Sequence, residues 1–279
     1  MTRVAVVGHV EWVEFARVDH VPVPGEIVHA VETWQEPAGG GAVAAVQLTR
    51  LAGDCLFLTA LGDDELGHRA ARGLEELGVR VAAAWRPEPQ RRAFVHVDAA
   101  GERTITVIGE RMGPHGDDPL PWDELAEADA VYFTAGDTAA LCAARAARQL
   151  VATTRANEVL VPAHVQLDVL VRSARDPGEG YVELDPPPRY VAETDGSGGG
   201  ILKSADGTAT PWLAAPLPGP VVDAYGAGDS LAAGLTFGLA EGLSPKKAVE
   251  FGARCGAACM TGRGPYSARL PTPRKASTR

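Results

Sequence analysis

Short runs of apolar and β-branched residues alternate along the chain with segments whose apolar positions recur at helical spacing, the order expected of a mostly parallel sheet covered by helices. The pattern predicts strands over residues 4–8, 56–61, 79–85, 130–134, 150–154 and 159–162, each ended by Gly, Pro or polar residues. Runs this short and apolar suit central strands covered on both faces. Between them, residues 42–52, 65–77 and 138–149 carry helix formers, and Gly53 and Gly78 stand at the positions that terminate a helix in a left-handed residue.

Two pieces break the alternation. Residues 92–97 and 102–108 are β-rich on either side of Asp98-Ala99-Ala100-Gly101, which predicts a hairpin, and residues 14–21 and 27–34 flank Pro22-Val23-Pro24-Gly25 in the same way. Four strands with no helix between them form either a small second sheet that serves as a lid or two surface hairpins, and periodicity does not separate the two. Asp185-Pro186-Pro187-Pro188 reads as a stiff connector, and the basic stretch 274–279 as a solvated end.

Composition narrows the class. With 279 residues, 46% hydrophobic and 22% charged, the chain is an ordinary globular protein of one large α/β domain or two smaller ones. A net charge of −10 opposes attraction to nucleic acid or anionic membrane, so neither is expected as a partner. The four cysteines (Cys55, Cys142, Cys255, Cys259) show no paired CxxC spacing, which points away from a disulfide framework or a zinc site and fits a reducing cytoplasm. Cys255 and Cys259, four apart on an expected helix, could hold a metal but read as small core residues. Met1-Thr2-Arg3 leads directly into the first apolar run without a signal-peptide pattern, and no window reaches the roughly 18 apolar residues of a membrane span.

The chemistry concentrates in residues 221–230. Gly226-Ala227-Gly228 opens a segment of helical spacing, which strips side chains from a place where backbone N–H groups and the positive end of the helix dipole point outward, an anion hole. Asp229 then stands in the first turn, where a carboxylate can take a proton from a hydroxyl while the amides hold a transferring phosphoryl group. The competing reading makes the small residues packing contacts and Asp229 a dipole partner.

Asp223-Ala224-Tyr225-Gly226-Ala227-Gly228-Asp229 resembles the D-T-x-G-A-G-D signature of the ribokinase-like (PfkB) family of carbohydrate and nucleoside kinases, with Ala224 in place of Thr. Val6-Val7-Gly8 followed by Val18-Asp19, Pro22 and Pro24-Gly25-Glu26, then Gly39-Gly40-Gly41-Ala42 with Arg50-Leu51, Gly62-Asp63-Asp64 with Gly67, and Thr194-Asp195-Gly196 with Gly199, resemble further motifs of that family in the family's order. The resemblance implies a three-layer α/β/α domain over 1–279, with a mostly parallel sheet and a small β lid built from about residues 12–36 and 91–109. It implies an ATP-dependent kinase that phosphorylates a hydroxyl of a sugar, nucleoside or related small molecule, with Mg2+ on the phosphates, a monovalent cation near Asp223 left open, and a homodimer through the lid as a further implication. Asp229 becomes the base and the Gly226, Ala227 and Gly228 amides the anion hole. Thr194, Gly196, Gly199 and Asp223, together with Gly226 and Gly228, border the nucleotide, and Gly39, Gly40 and Gly41 let the substrate approach a helix N-terminus.

The departures are equally informative. The family's N-x-D pair falls on Glu11 and Val13, so Glu11 is the surviving candidate for substrate hydroxyls, against a reading as a solvated strand residue. The Asn of the glycine motif falls on Val43, and the N-x-x-E motif falls on Ser173-Ala174-Arg175-Asp176, which makes Asp176 either a magnesium ligand through water or a loop residue before Pro177. Of a D-x-N-x-R segment only Arg155 remains. These losses leave room for a non-catalytic nucleotide- or sugar-binding relative on the same fold. Among the histidines only His9, beside the expected substrate strand, draws notice.

Overall fold

A computed structural model describes residues 2–268 and 270 of the chain. It opens with β1 (Val4–Val7), whose side chains alternate between two apolar layers: Val4 and Val6 enter one, Ala5 and Val7 the other. This period of two, with both sets buried, is what a central strand between helical layers requires. There follow β2 (Glu11–Arg17), β3 (Glu32–Ala38), α1 (Gly40–Ala52), β4 (Leu56–Gly62), α2 (Glu65–Glu76), β5 (Arg80–Arg86), β6 (Arg92–Val97) and β7 (Arg103–Ile108). The second half carries β8 (Ala130–Phe133), α3 (Thr138–Ala144), β9 (Leu150–Thr153), α4 (Asn157–Ala163), β10 (Val169–Ser173), β11 (Tyr190–Thr194), β12 (Gly200–Ser204), β13 (Ala209–Trp212), α5 (Ala227–Ala240) and α6 (Pro245–Cys259).

The main sheet has nine strands in the order β13-β12-β11-β10-β9-β8-β1-β4-β5, parallel from β11 to β5 and closed by the antiparallel pair β12 and β13. Helices α1, α2, α5 and α6 cover one face, with Val46, Leu48, Leu74, Leu235 and Phe251 in its core, while α3 and α4 cover the other through Leu141 and Leu160. The strand order reverses at β1, between β4 and β8, and the C-terminal ends of parallel strands around such a switch are where open α/β sheets leave a crevice. A second sheet of four strands, β3-β2-β6-β7, stands beside that edge. Its inner face joins the larger core through Val13, Phe15 and Val95, and Phe15 stacks on Trp34 at 4.7 Å and meets Tyr225 edge-on at 5.0 Å. The four strands are therefore a sheet and not separate surface hairpins.

Several boundaries differ from expectation for physical reasons. Residues 159–162 lie inside α4, where Leu160 is buried and Val161 is 45% exposed, a one-sided pattern that a short apolar run does not distinguish from a strand. The expected helix 138–149 stops at Ala144, and the Arg145 guanidinium turns to the Gln166 carbonyl and Asp168. β2 begins at Glu11 and β3 at Glu32, earlier and later than expected, because the intervening segment carries Pro22 and Pro24 and leaves Val23, Ile27 and Val31 exposed. Strands β10 to β13 were not apparent from the pattern. All four cysteines are free, three of them buried, and the stretch 274–279 lies outside the described residues. Among the described residues no helix is long and apolar enough to cross a membrane.

Candidate active site

Helix α5 begins at a glycine because its capping residue must be left-handed: Gly226 has φ 78°, and a Cβ there would lie 2.8 Å from the Pro265 Cβ. Asp223, fully buried ahead of it, accepts the Tyr225 amide at 2.8 Å and the Gly264 amide at 2.9 Å. Both its oxygens thus accept backbone amides, which makes Asp223 the brace of the 223–228 loop. Burial raises its carboxyl from the ordinary value against the pull of those two amides. A Cβ at Gly228 would meet no atom within 4 Å, so the loop presents this residue to open space.

Helix α1 brings a second N-terminus to the same point. The Gly39 amide donates to the Tyr225 hydroxyl at 3.2 Å, and a Cβ on Gly40 would sit 2.9 Å from Asp229 Oδ1, closer than side chains approach one another. Gly40 therefore has no side chain because Asp229 occupies the place. Two helix N-termini facing one carboxylate make a strongly electropositive backbone surface. The Asp229 carboxyl is nevertheless held at about 6, first by burial and then by repulsion from Glu179 and Glu11, with Arg103 and Arg155 opposing. A carboxyl near 6 is a stronger base than an ordinary aspartate and is still charged at neutral pH.

On the far side of Gly40 lies His9, whose Cε1 would be 3.5 Å from the same Cβ. Burial, followed by Arg111, Arg91 and Arg155, lowers its pKa far below the usual imidazole value, so His9 is neutral. Arg111 Nε and Nη2 both lie 3.3 Å from His9 Nδ1, which must accept and leaves the ring proton on Nε2, toward Glu11 at 3.9 Å. Glu11 is buried and paired with Arg91 at 2.8 Å, so it is no solvated strand residue. A Cβ on Gly39 would lie 3.2 Å from Glu11, so a chain of close neighbours runs from Glu11 through Gly39 and Gly40 to Asp229.

The expected nucleotide-side residues lie along the strand ends. Thr194 closes β11 opposite Ser173, whose amide donates to Glu179 at 2.6 Å, and Gly196 and Gly199 follow in the next turn with φ 53° and 84°. Asp176 pairs with Arg155 and accepts the Gly178 amide at 2.8 Å. The carboxylate whose charge bears on Asp229 is instead Glu179, which is also held by Arg155 Nε at 3.2 Å. Among the described residues the one cluster with metal-ligand geometry is His115, Asp117 and Asp118, a largely exposed group, and its Asp118 is taken up by Arg86.

Arg91, Arg111 and Glu179 escaped the sequence reading. Arg91 precedes β6, Arg111 follows β7 by three residues and Glu179 sits in a 3-10 turn, so no shared spacing links them; only the fold brings them together. A sequence model described as pfkB family carbohydrate kinase matches residues 1–176 and 187–273. An ATP-dependent ribose-1-phosphate kinase of Halopiger xanaduensis is 31% identical over 297 residues, spanning 96% of this chain and 95% of the relative. The ribokinase of Thermotoga maritima superposes with a TM-score of 0.74 at 21% identity, covering 95% of each chain, and that of Arabidopsis thaliana, solved with ribose and ATP, with 0.72 at 21% identity over 95% and 94%. The family match runs through both sheets and through the loop that carries Asp229, and on that ground the chain belongs to the pfkB family of carbohydrate kinases.

Proposed function

We propose that this kinase transfers the γ-phosphoryl group of ATP to a hydroxyl of a sugar-type substrate lying between the small sheet and the C-terminal ends of β1, β8 and β9. The observation that supports this best is the approach of Gly40 to Asp229, which places a carboxylate of pKa about 6 between two helix N-termini. As the hydroxyl oxygen forms its bond to the γ-phosphorus, the bond to the β–γ bridging oxygen breaks, ADP leaves, and Asp229 takes the hydroxyl proton. The amides of Gly226, Ala227 and Gly228 face the equatorial oxygens where charge spreads. Thr194, Gly196 and Gly199 line the ATP side, and the small sheet acts as the lid that excludes water. A magnesium ion on the triphosphate would keep most of its ligands as waters and phosphate oxygens; Asp176 and Glu179, each already bonded to Arg155 and to a backbone amide, would hold it through those waters, and it would offset charge on the phosphates.

The test is ADP release in a coupled assay, with pentoses, pentose phosphates and nucleosides offered in turn to the wild type and to Asp229→Asn. Substrate-dependent release by the wild type, cut by about 10² to 10⁴ fold in the variant, is expected. Release that no hydroxyl compound stimulates would sink the proposal and leave a binding protein on this fold.

A further inference from the structure

Arg111 is half-buried, and among the described residues no carboxylate lies within salt-bridge reach of it; its hydrogen bonds go to His9 Nδ1 and, at 2.7 Å, to the Arg155 carbonyl. Its neighbours are matched differently: Arg91 has Glu11, and Arg155 has Asp176 and Glu179. A guanidinium drawn out of water among like charges, with a neutral imidazole as its side-chain partner, is an uncompensated cation, costly unless an anion joins it. Asp137 and Glu158 line the pocket beside it, yet neither carboxylate is within ion-pair distance of the guanidinium. The gap next to it is a pocket of about 120 Å³ lined by Arg111, Gly113, His115, Thr134 and Gly136. The Asp137 carboxylate at its edge is occupied by the Gly116 and Ala140 amides.

We infer that Arg111, with Arg91 beside it, holds a phosphate carried by the substrate at the end remote from the reacting hydroxyl, so that the enzyme selects a sugar phosphate over the free sugar. Gly40 has Asp229 and the His9 ring as neighbours, and Arg111 meets that ring at Nδ1, so a substrate that reaches both Asp229 and Arg111 carries its reacting hydroxyl and its phosphate at different ends. With Nε–H and one Nη2–H given to His9 and one Nη1–H to the Arg155 carbonyl, the guanidinium keeps one N–H on each of Nη1 and Nη2 for two phosphate oxygens, a charge-assisted match that a free hydroxyl cannot reproduce. The neutral His9 between the two ends offers Nε2–H to a ring hydroxyl without adding charge. This inference rests on the kinase reading above, and the product it implies is a bisphosphate.

The experiment compares ribose with ribose 1-phosphate as acceptors for the wild type, Arg111→Met and Arg111→Lys, with calorimetric binding of ribose 1-phosphate to Asp229→Asn and to the Asp229→Asn/Arg111→Met double variant. The wild type should prefer the phosphate by about 100-fold or more in kcat/KM. Arg111→Met should raise the KM for the phosphate about tenfold or more and shrink the preference by the same factor, with the KM for ATP unmoved and Arg111→Lys intermediate. Asp229→Asn should bind the phosphate and the double variant should not. A wild-type KM for the phosphate in Arg111→Met, or a wild-type enzyme indifferent to the phosphate, overturns the inference while sugar-dependent ADP release keeps the kinase reading intact. Arg111-dependent binding without ADP release from any sugar overturns the kinase reading and retains the anion site.

Discussion

Asp229→Asn should make the protein more stable while it makes the enzyme inactive. The carboxyl is held at about 6 where an unperturbed aspartate titrates at 3.8, so its charged form is disfavoured in the folded protein. A difference of about two in pKa corresponds to about 3 kcal/mol, which is an upper bound because the group is only partly shielded from water. The sign follows from linkage: an acid whose pKa is raised on folding binds its proton more tightly in the native state, so it favours folding below 3.8 relative to its charged state and works against folding above 6. Amide replacement removes the charge at every pH and keeps the shape. The melting temperature of Asp229→Asn should therefore exceed that of the wild type by several degrees at pH 8, at about 2 to 4 °C per kcal/mol for a domain of this size, and the gap should close as the pH approaches 4. Differential scanning fluorimetry across pH 4 to 8, read beside ADP release, measures both halves. A variant that melts at or below the wild type at pH 8, or with a pH-independent difference, would show that Asp229 is not a desolvated carboxylate and would refute the reasoning behind its basicity.

Three further outcomes are expected. The acidic limb of kcat/KM should inflect near pH 6, and Glu179→Gln, which removes the first charge repelling Asp229, should move that limb to lower pH; an unmoved limb in a pH-rate profile would count against the coupling. Gly40→Ala puts a methyl group 2.9 Å from Asp229 Oδ1 and should lower kcat by about tenfold or more through displacement of the base, with circular dichroism unchanged; normal kcat would place the reacting centre elsewhere. Asp223→Ala strips the Tyr225 and Gly264 amides of their acceptor and should cost about 1–3 kcal/mol in urea unfolding, whereas no loss would mean that the loop holds itself.

The alternation of short apolar runs and helical segments was enough to place β1, β4, β8 and β9 because both faces of these strands are buried, which leaves a continuous apolar signal. Residues 159–162 misled because four apolar positions fit one turn of α4 as well as a strand. The outer strands β12 and β13 face water on alternate positions and interleave Lys203, Ser204 and Thr210, so their signal merges with that of loops. The loop bearing Asp229 was legible because a helix that begins with Gly-Ala-Gly has local reasons to do so. Arg91 and Arg111 were not, because a lone arginine has the same appearance in sequence whether it meets solvent or an empty pocket. Asp176 and Glu179, three residues apart in one turn, take different partners, since a carboxylate's direction in a turn is decided by what it caps: Asp176 caps Gly178, whereas Glu179 turns back to the Ser173 amide.

The small sheet is fastened to the 222–228 loop ahead of α5 by two bonds: the Ala224 amide donates to the Gly101 carbonyl at 2.9 Å, and Arg17 reaches the Val222 carbonyl at 3.2 Å. Any outward swing of that sheet must break both, so the order of residues 222–228 and the position of the sheet are one equilibrium. On the function proposed above, the two substrates become thermodynamically linked: a sugar that seats the sheet also orders residues 222–228, and by reciprocity ATP held by that loop would tighten the hold on the sugar by the same factor. On that reading the enzyme is biased toward forming its ternary complex, because whichever substrate holds the sheet also holds the loop that the other needs.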